Sequence, residues 1–211
     1  MKFCGITRRP DAELAAELGA WAVGMVFWPG SPRAVDVGRA AEVVAVVRRR
    51  LELVGVFVDA QLGELTAVAD AVGLTIVQLH GREGPAFCSE VARRTGCRVI
   101  KAARVQSRAE IQALGSFHTD FHLLDGHTPD VPGGTGETFA WELAREHRGS
   151  VPLILSGGLT ADNVAAGVRA VGPFAVDVAS GVESSPGVKS HAEMRRFARE
   201  AAGALAAGAA R

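Results

Sequence analysis

Four polar residues stand at or near the ends of short apolar runs in this chain. They are Cys4 in KFCG, Asp125 in LLDG, Arg33 in PGSPR and His80 in VQLHG. A thiolate can remove a proton and a carboxylic acid can supply one, so Cys4 and Asp125 could act as general base and general acid on two sides of a substrate. The base role predicts a thiol pKa below the free value of about 8.5. The acid role predicts a carboxyl kept protonated by partial burial. Cys4 could equally be a buried thiol that fills space. Arg33 could grip a carboxylate through two parallel hydrogen bonds, or be a solvated surface arginine. His80 could line a pocket, bind a metal or sit satisfied in the core.

A second kind of chemistry is carried by backbone. In VPLILSGGLTADNV, an apolar run Val151 to Leu155 is broken by Ser156-Gly157-Gly158. Adjacent glycines let a backbone approach a ligand closely, and a following helix, capped by Thr160 or Asp162, offers unpaired N–H groups. That combination suits an anion such as phosphate. The pattern recurs where the strand-like run Phe174 to Val178 leads into Ala179-Ser180-Gly181. Two neighbouring turns of this kind, late in the chain, fit the phosphate site shared by the last two strands of a (β/α)8 barrel. Two ordinary glycine turns would look the same.

The elements that must position these groups alternate. Strands are predicted over Lys2 to Ile6, Trp21 to Phe27, Leu53 to Val58, Thr75 to His80, Arg98 to Ala102, Phe121 to Asp125, Val151 to Leu155 and Phe174 to Val178. Helices fall between them. One begins at Pro10 and Asp11 and stops at Gly19, others cover Val37 to Arg50 and Leu62 to Val72, and another ends near Thr95. Ser107 with Glu110, and Ser190 with Glu193, are capping boxes. A helix surrounds Trp141, and the Ala/Gly-rich end after about Ala202 is expected to fray. About eight strand–helix units without a linker predict one domain over 1–211, a closed α/β TIM barrel. An open doubly wound sheet would more often carry GxGxxG after its first strand, and no such motif occurs. Lys2, Lys101 and Asp177 lie inside apolar strands, which suggests a buried ion-pair network under the site. The loop Gly126 to Glu137 could fold over a ligand.

Bulk properties exclude some classes. The 211 residues carry 23 basic and 23 acidic side chains, a formal net charge of zero. No general attraction to nucleic acid or an acidic membrane follows. No apolar run is long enough to span a bilayer, and MKFCGITRR has no signal-peptide core. Three cysteines without zinc-ligand spacing read as reduced thiols of a cytoplasmic protein.

The motifs also resemble a known family, the phosphoribosylanthranilate isomerases of tryptophan biosynthesis. The matching stretches are KFCGIT (2–7), VGMVFWPGSPR (23–33), VGVFVD (54–59), VQLHG (77–81), IKA (100–102), LLDG (123–126), GGTGETFAW (133–141), LSGGLTADNV (155–164), VDVASGVE (176–183) and PGVK (186–189). They run in the family's order from end to end. The resemblance implies a (β/α)8 barrel and an Amadori rearrangement, in which N-(5′-phosphoribosyl)anthranilate becomes 1-(2-carboxyphenylamino)-1-deoxyribulose 5-phosphate. It implies Cys4 as general base, Asp125 as general acid and Arg33 as the anthranilate carboxylate clamp. Gly157, Gly158, Ser180 and Gly181 match the phosphate turns, and His80 is placed among the substrate-binding residues. No cofactor and no metal are implied, and the partner is a small phosphosugar–anthranilate, met by a monomer or homodimer.

Three positions depart from the family pattern: Ala140, Ala179 and Ser190 stand where Asp, Ser and Asp are usual. None touches the acid, base or clamp. Two rivals remain. A metal-dependent phosphosugar epimerase would use His80, Asp125 and His122 as ligands, although strand alternation turns His122 away from Asp125. A non-catalytic phosphosugar-binding paralogue would bind without isomerising.

Overall fold

The computed structural model describes residues 1–104, 107–126, 141–147 and 149–209. Eight parallel strands close into a barrel in sequence order, β1 Lys2–Phe3, β2 Ala22–Val26, β3 Glu52–Phe57, β4 Ile76–Leu79, β5 Arg98–Arg104, β6 Phe121–Asp125, β7 Leu153–Ser156 and β8 Ala175–Val178. β8 returns to β1 with Lys2 opposite Asp177. Closure leaves no edge strand to protect. The helices are α1 Arg9–Glu17, α2 Val37–Val47, α3 Leu62–Val72, α4 Pro85–Thr95, α5 Arg108–Ala113, α6 Val164–Val171 and α7 His191–Ala209. A further helical turn covers 141–144. A hairpin of β9 Glu183–Ser185 and β10 Val188–Lys189 stands outside the barrel.

Strand alternation separates two cores. Val54, Val56, Ile76, Ile100, Leu123 and Ile154 fill the barrel lumen. Val23, Met25, Val77, Leu79, Leu124 and Val176 face the helices. At the N-terminal end of the barrel, Trp21, Phe121 and Phe174 stack as a plug, with ring centroids 5.1–5.6 Å apart.

Several boundaries differ from expectation for identifiable reasons. β1 ends at Phe3 because Gly5, at φ 70°, turns the chain. The helix expected to be capped by Thr160 or Asp162 begins at Val164 with Asn163 as its cap; Asn163 Oδ1 accepts from Thr160 N at 2.8 Å and its amide donates to Gly158 O, building the turn before it. The end of the chain, expected to fray after Ala202, is helical to Ala209. Alanine is the strongest helix former, and its abundance offsets the glycines there. Both capping serines accept as expected, Ser107 from Glu110 N and Ser190 from Glu193 N.

Lys2, Lys101 and Asp177 fall into two separate ion pairs instead of one network. Lys2 Nζ meets Asp177 Oδ1 at 2.9 Å, while Lys101 Nζ meets Glu83 Oε2 at 2.8 Å. Glu83 also accepts from the backbone N–H groups of Asp59 and Gly81. The second pair therefore fixes the turns after β3 and β4.

His122 points out of the barrel. Its Nδ1 lies 2.9 Å from His147 Nε2, and its Nε2 lies 3.1 Å from Phe117 O. Burial lowers the pKa of both rings from the ordinary 6.5, outweighing the Phe117 bond at His122. Below about pH 6.5 the unfolded chain thus binds protons that the folded chain does not. Stability is full above that value and falls as pH descends toward the lowered folded values. Thermal melts from pH 7 to 5 should show a steeper loss for the parent than for His122→Gln. Equal slopes would remove the pair from the account.

Candidate active site

The C-terminal ends of the strands carry the candidate groups. A cavity of about 360 Å³ is lined by Arg33, Asp125, Ser156, Gly157, Gly158, Asp177, Ser180 and Gly181, among others. Gly157 and Gly158 both have positive φ, at 87° and 65°, which side-chain-bearing residues rarely adopt. Ser180–Val182 forms a short 3₁₀ turn. Both turns border the cavity, and no residue of α6 lines it. A Cβ built at Gly181 would lie 1.9 Å from Leu159 O, so the two turns interlock through backbone.

Asp125 closes β6 on this cavity. Its Oδ2 lies 3.4 Å from His80 Nε2, and His80 Nδ1 lies 3.2 Å from Gln78 Nε2. His80 borders a neighbouring cavity of about 530 Å³, together with Asp59, Lys101, Ala102 and Phe117. The His80–Asp125 pair forms the wall between the two spaces. His80 is thus a pocket residue. The same geometry removes the metal set considered above, because His122 faces the opposite way toward His147. Among the described residues no group of three His, Cys, Asp or Glu could hold a metal ion.

Cys4 sits just past β1, its N–H donating to Val178 O at 2.8 Å. The thiol is buried beside the Lys2–Asp177 pair, of which Asp177 lines the cavity. Burial pushes its pKa above the ordinary 9.0; Asp177 adds to the rise, and Lys2 and Lys189 oppose it. The expectation of a depressed thiol pKa is therefore not met. Desolvation of the thiolate is the larger effect.

Arg33 is already engaged. Its Nε and Nη2 donate to Glu183 Oε1 and Oε2 at 2.9 and 2.7 Å, a bidentate pair. Glu183 also accepts from Lys189 Nζ at 2.9 Å, and Lys189 donates to Ala179 O at 2.9 Å. Burial works against the Glu183 carboxylate, yet these two cations hold its pKa below the ordinary value. Gly5 makes room for the arrangement, since a Cβ there would lie 2.5 Å from Arg33 Cδ. Asp11 ties the same region together: it accepts two bonds from Arg8, one from Lys189 N, and lies 3.0 Å from His191 Nε2.

Sequence reading missed Gly24, Glu183, Lys189, Glu83 and Asp11. Gly24 carried a signal, because an isolated glycine inside a strand marks a close approach. The hairpin residues carried little, since strands of two or three residues have no readable period. The proposed lid, the GGTG motif and Ala140 lie outside the described residues.

Fold and cavity together define a (β/α)8-barrel enzyme. Residues 1–200 match the family model for N-(5′-phosphoribosyl)anthranilate (PRA) isomerase. The chain is 46% identical over 201 residues to the N-(5′-phosphoribosyl)anthranilate isomerase of Geobacter sp. strain M21, covering 95% of this chain and 97% of that one. Its structure is similar to the crystal structure of phosphoribosylanthranilate isomerase from Thermotoga maritima, with a TM-score of 0.86 and 40% identity over 96% of this chain and 98% of the other. A solved complex of such an isomerase with reduced 1-(o-carboxyphenylamino)-1-deoxyribulose 5-phosphate matches at a TM-score of 0.81 and 36% identity, covering 96% of this chain and 97% of that one. The chain belongs to the N-(5′-phosphoribosyl)anthranilate isomerase family.

Proposed function

We propose that the chain isomerises N-(5′-phosphoribosyl)anthranilate to 1-(2-carboxyphenylamino)-1-deoxyribulose 5-phosphate, with Asp125 as acid and Cys4 as base. The observation that carries this reading is one cavity bordered by Asp125, Arg33 and both glycine turns, with Asp177, whose charge acts on the buried Cys4 thiol, in the same lining. The turns offer backbone N–H groups to the phosphate. Asp125 protonates the ribose ring oxygen while the anilino nitrogen lone pair opens the ring. The cationic imine so formed acidifies the C2′ proton. Cys4 thiolate takes that proton, and the C–H electrons pass to the imine. The resulting enolamine tautomerises to the ketone. Because the imine itself is the electron sink, the chemistry requires no metal or organic cofactor. Ala179 retains its backbone N–H, so its departure from the family pattern leaves an amide-built phosphate seat intact.

Arg33 holds the anthranilate carboxylate. Glu183 takes the Nε edge of the guanidinium, and the planar fork has a second edge for the ligand. Arg33→Met should raise KM about tenfold or more through loss of one charge-assisted pair, with a smaller change in kcat. An unchanged KM would refute the clamp.

The substrate is small and anionic, and an overall charge of zero gives no general pull on nucleic acid. No helix of the described residues is long and apolar enough to cross a membrane. We read the protein as cytoplasmic, and as a monomer or homodimer; a solved relative from Thermotoga maritima is described as dimeric. Loss of substrate fluorescence with purified protein in the presence of chelator tests the whole reading. No turnover would refute it, and activity restored only by metal would favour the epimerase. Binding of the product analogue without any isomerisation would favour the non-catalytic paralogue.

A further inference from the structure

Lys2 and Cys4 are two residues apart and share the lumen side of the barrel. Lys2 is wholly buried, its Nζ hydrogen-bonds Asp177 Oδ1 at 2.9 Å, and its charge acts on the Cys4 sulfur. Facing them on β2 is Gly24. A Cβ built there would lie 2.9 Å from Cys4 Sγ and 3.1 Å from Lys2 Nζ. Glycine in a strand interior is costly, and so is a buried ammonium. Packing alone needs neither, since methionine fills the volume of a lysine stem without a charge.

We propose that Lys2 is the positioning residue for the base: tethered by Asp177, its ammonium supplies the counter-charge that lets Cys4 exist as thiolate, and Gly24 is the gap that lets the two heads meet. The inference rests on Cys4 being the base. Three other charged groups act on the sulfur. Asp177 opposes the thiolate, and Lys189 and Arg33 favour it. Lys189 and Arg33 are both bonded to Glu183, whereas Lys2 and the sulfur share the gap left by Gly24. The proton balance is simple. Before turnover the S–H proton leaves to solvent. During turnover the thiolate gains the C2′ proton as that C–H bond breaks, and Lys2 keeps its own proton throughout.

The test reads the thiolate ultraviolet band of Cys4 against pH, as the parent spectrum minus that of Cys4→Ala. Lys2→Met should leave about tenfold less thiolate at neutral pH. It should lower kcat by a similar factor, move the acid limb of the kcat profile to higher pH and leave KM nearly unchanged. Asp177→Asn removes the opposing charge, so its thiolate titration should stay in place or move to lower pH. Opposite responses from two neighbouring buried residues distinguish charge from packing, which would disturb both alike. Should Lys2→Met fail to fold, Gly24→Ala separates the two heads and should also move the titration to higher pH. An unmoved titration in folded Lys2→Met or Gly24→Ala would overturn the inference. Full turnover in Cys4→Ala would instead overturn the base assignment, and would leave the titration shift standing.

Discussion

Asp125→Asn is expected to lower kcat by about 10²–10⁴-fold while a product analogue still binds. Asparagine keeps the shape and the hydrogen-bonding reach but cannot deliver a proton to the ribose ring oxygen. Ring opening then depends on water, and the imine that acidifies C2′ forms slowly. Cys4→Ala should cost as much at the later step, because it removes the proposed acceptor of the C2′ proton. Cys4→Ser should recover little, since an alcohol holds its proton far more tightly than a thiol. His80→Asn should cost less than either, because its ring borders Asp125 at 3.4 Å and acts through it. Steady-state kinetics beside calorimetric binding of the reduced product separates these effects. Unimpaired kcat in both Asp125→Asn and Cys4→Ala would end the acid–base assignment.

Gly181→Ala should act on binding. Its new Cβ would meet a backbone oxygen, Leu159 O, at 1.9 Å, and no rotamer can relieve that contact. One of the two phosphate turns must shift. Losing two charge-assisted amide bonds, at about 1.5 kcal/mol or more each, predicts a fall of about 100-fold in kcat/KM. Inhibition by inorganic phosphate should weaken in parallel. Gly63→Ala is the control. That glycine lies in α3 with nothing within 4 Å of an added Cβ, and alanine should stabilise the helix by up to about 1 kcal/mol. A Gly181→Ala protein with unaltered phosphate inhibition would remove these turns from the site.

Much of this was legible in the sequence because the barrel repeats one simple signal. β6 was bounded correctly, since Asp120 and Gly126 punctuate an apolar run on both sides. Asp125 stood out as a carboxyl where packing has no use for one. The pairing of buried charges was not legible. Lys101 and Lys2 look alike in sequence, each a lysine within an apolar strand, yet one pairs with Glu83 and the other with Asp177. The partner is set by the fold: barrel closure joins Lys2 to Asp177, 175 residues away, whereas the pairing of β4 with β5 brings Lys101 to Glu83, 18 residues away. The ionisation of Cys4 was misjudged for a similar reason. A strand-end cysteine gives no measure of its burial, and burial is the largest influence on this thiol. Arg33 was placed in the cavity, but its bidentate partner Glu183 lies on a hairpin too short to carry a periodic pattern.

The seam between the first and last strands has a consequence for biosynthesis. Lys2 reaches Asp177, Cys4 N–H reaches Val178 O, Thr7 Oγ1 reaches Gly187 O, and Arg8 reaches Lys189 O. The β1 segment is made before β8 and finds these partners only once β8 and the hairpin after it have been synthesised. A nascent chain arrested before β8 would carry its cysteine with no companion ammonium–carboxylate pair around it. Competence therefore arrives in one late event, when β8 closes on β1, and measured turnover doubles as a gauge of how many molecules have completed that join.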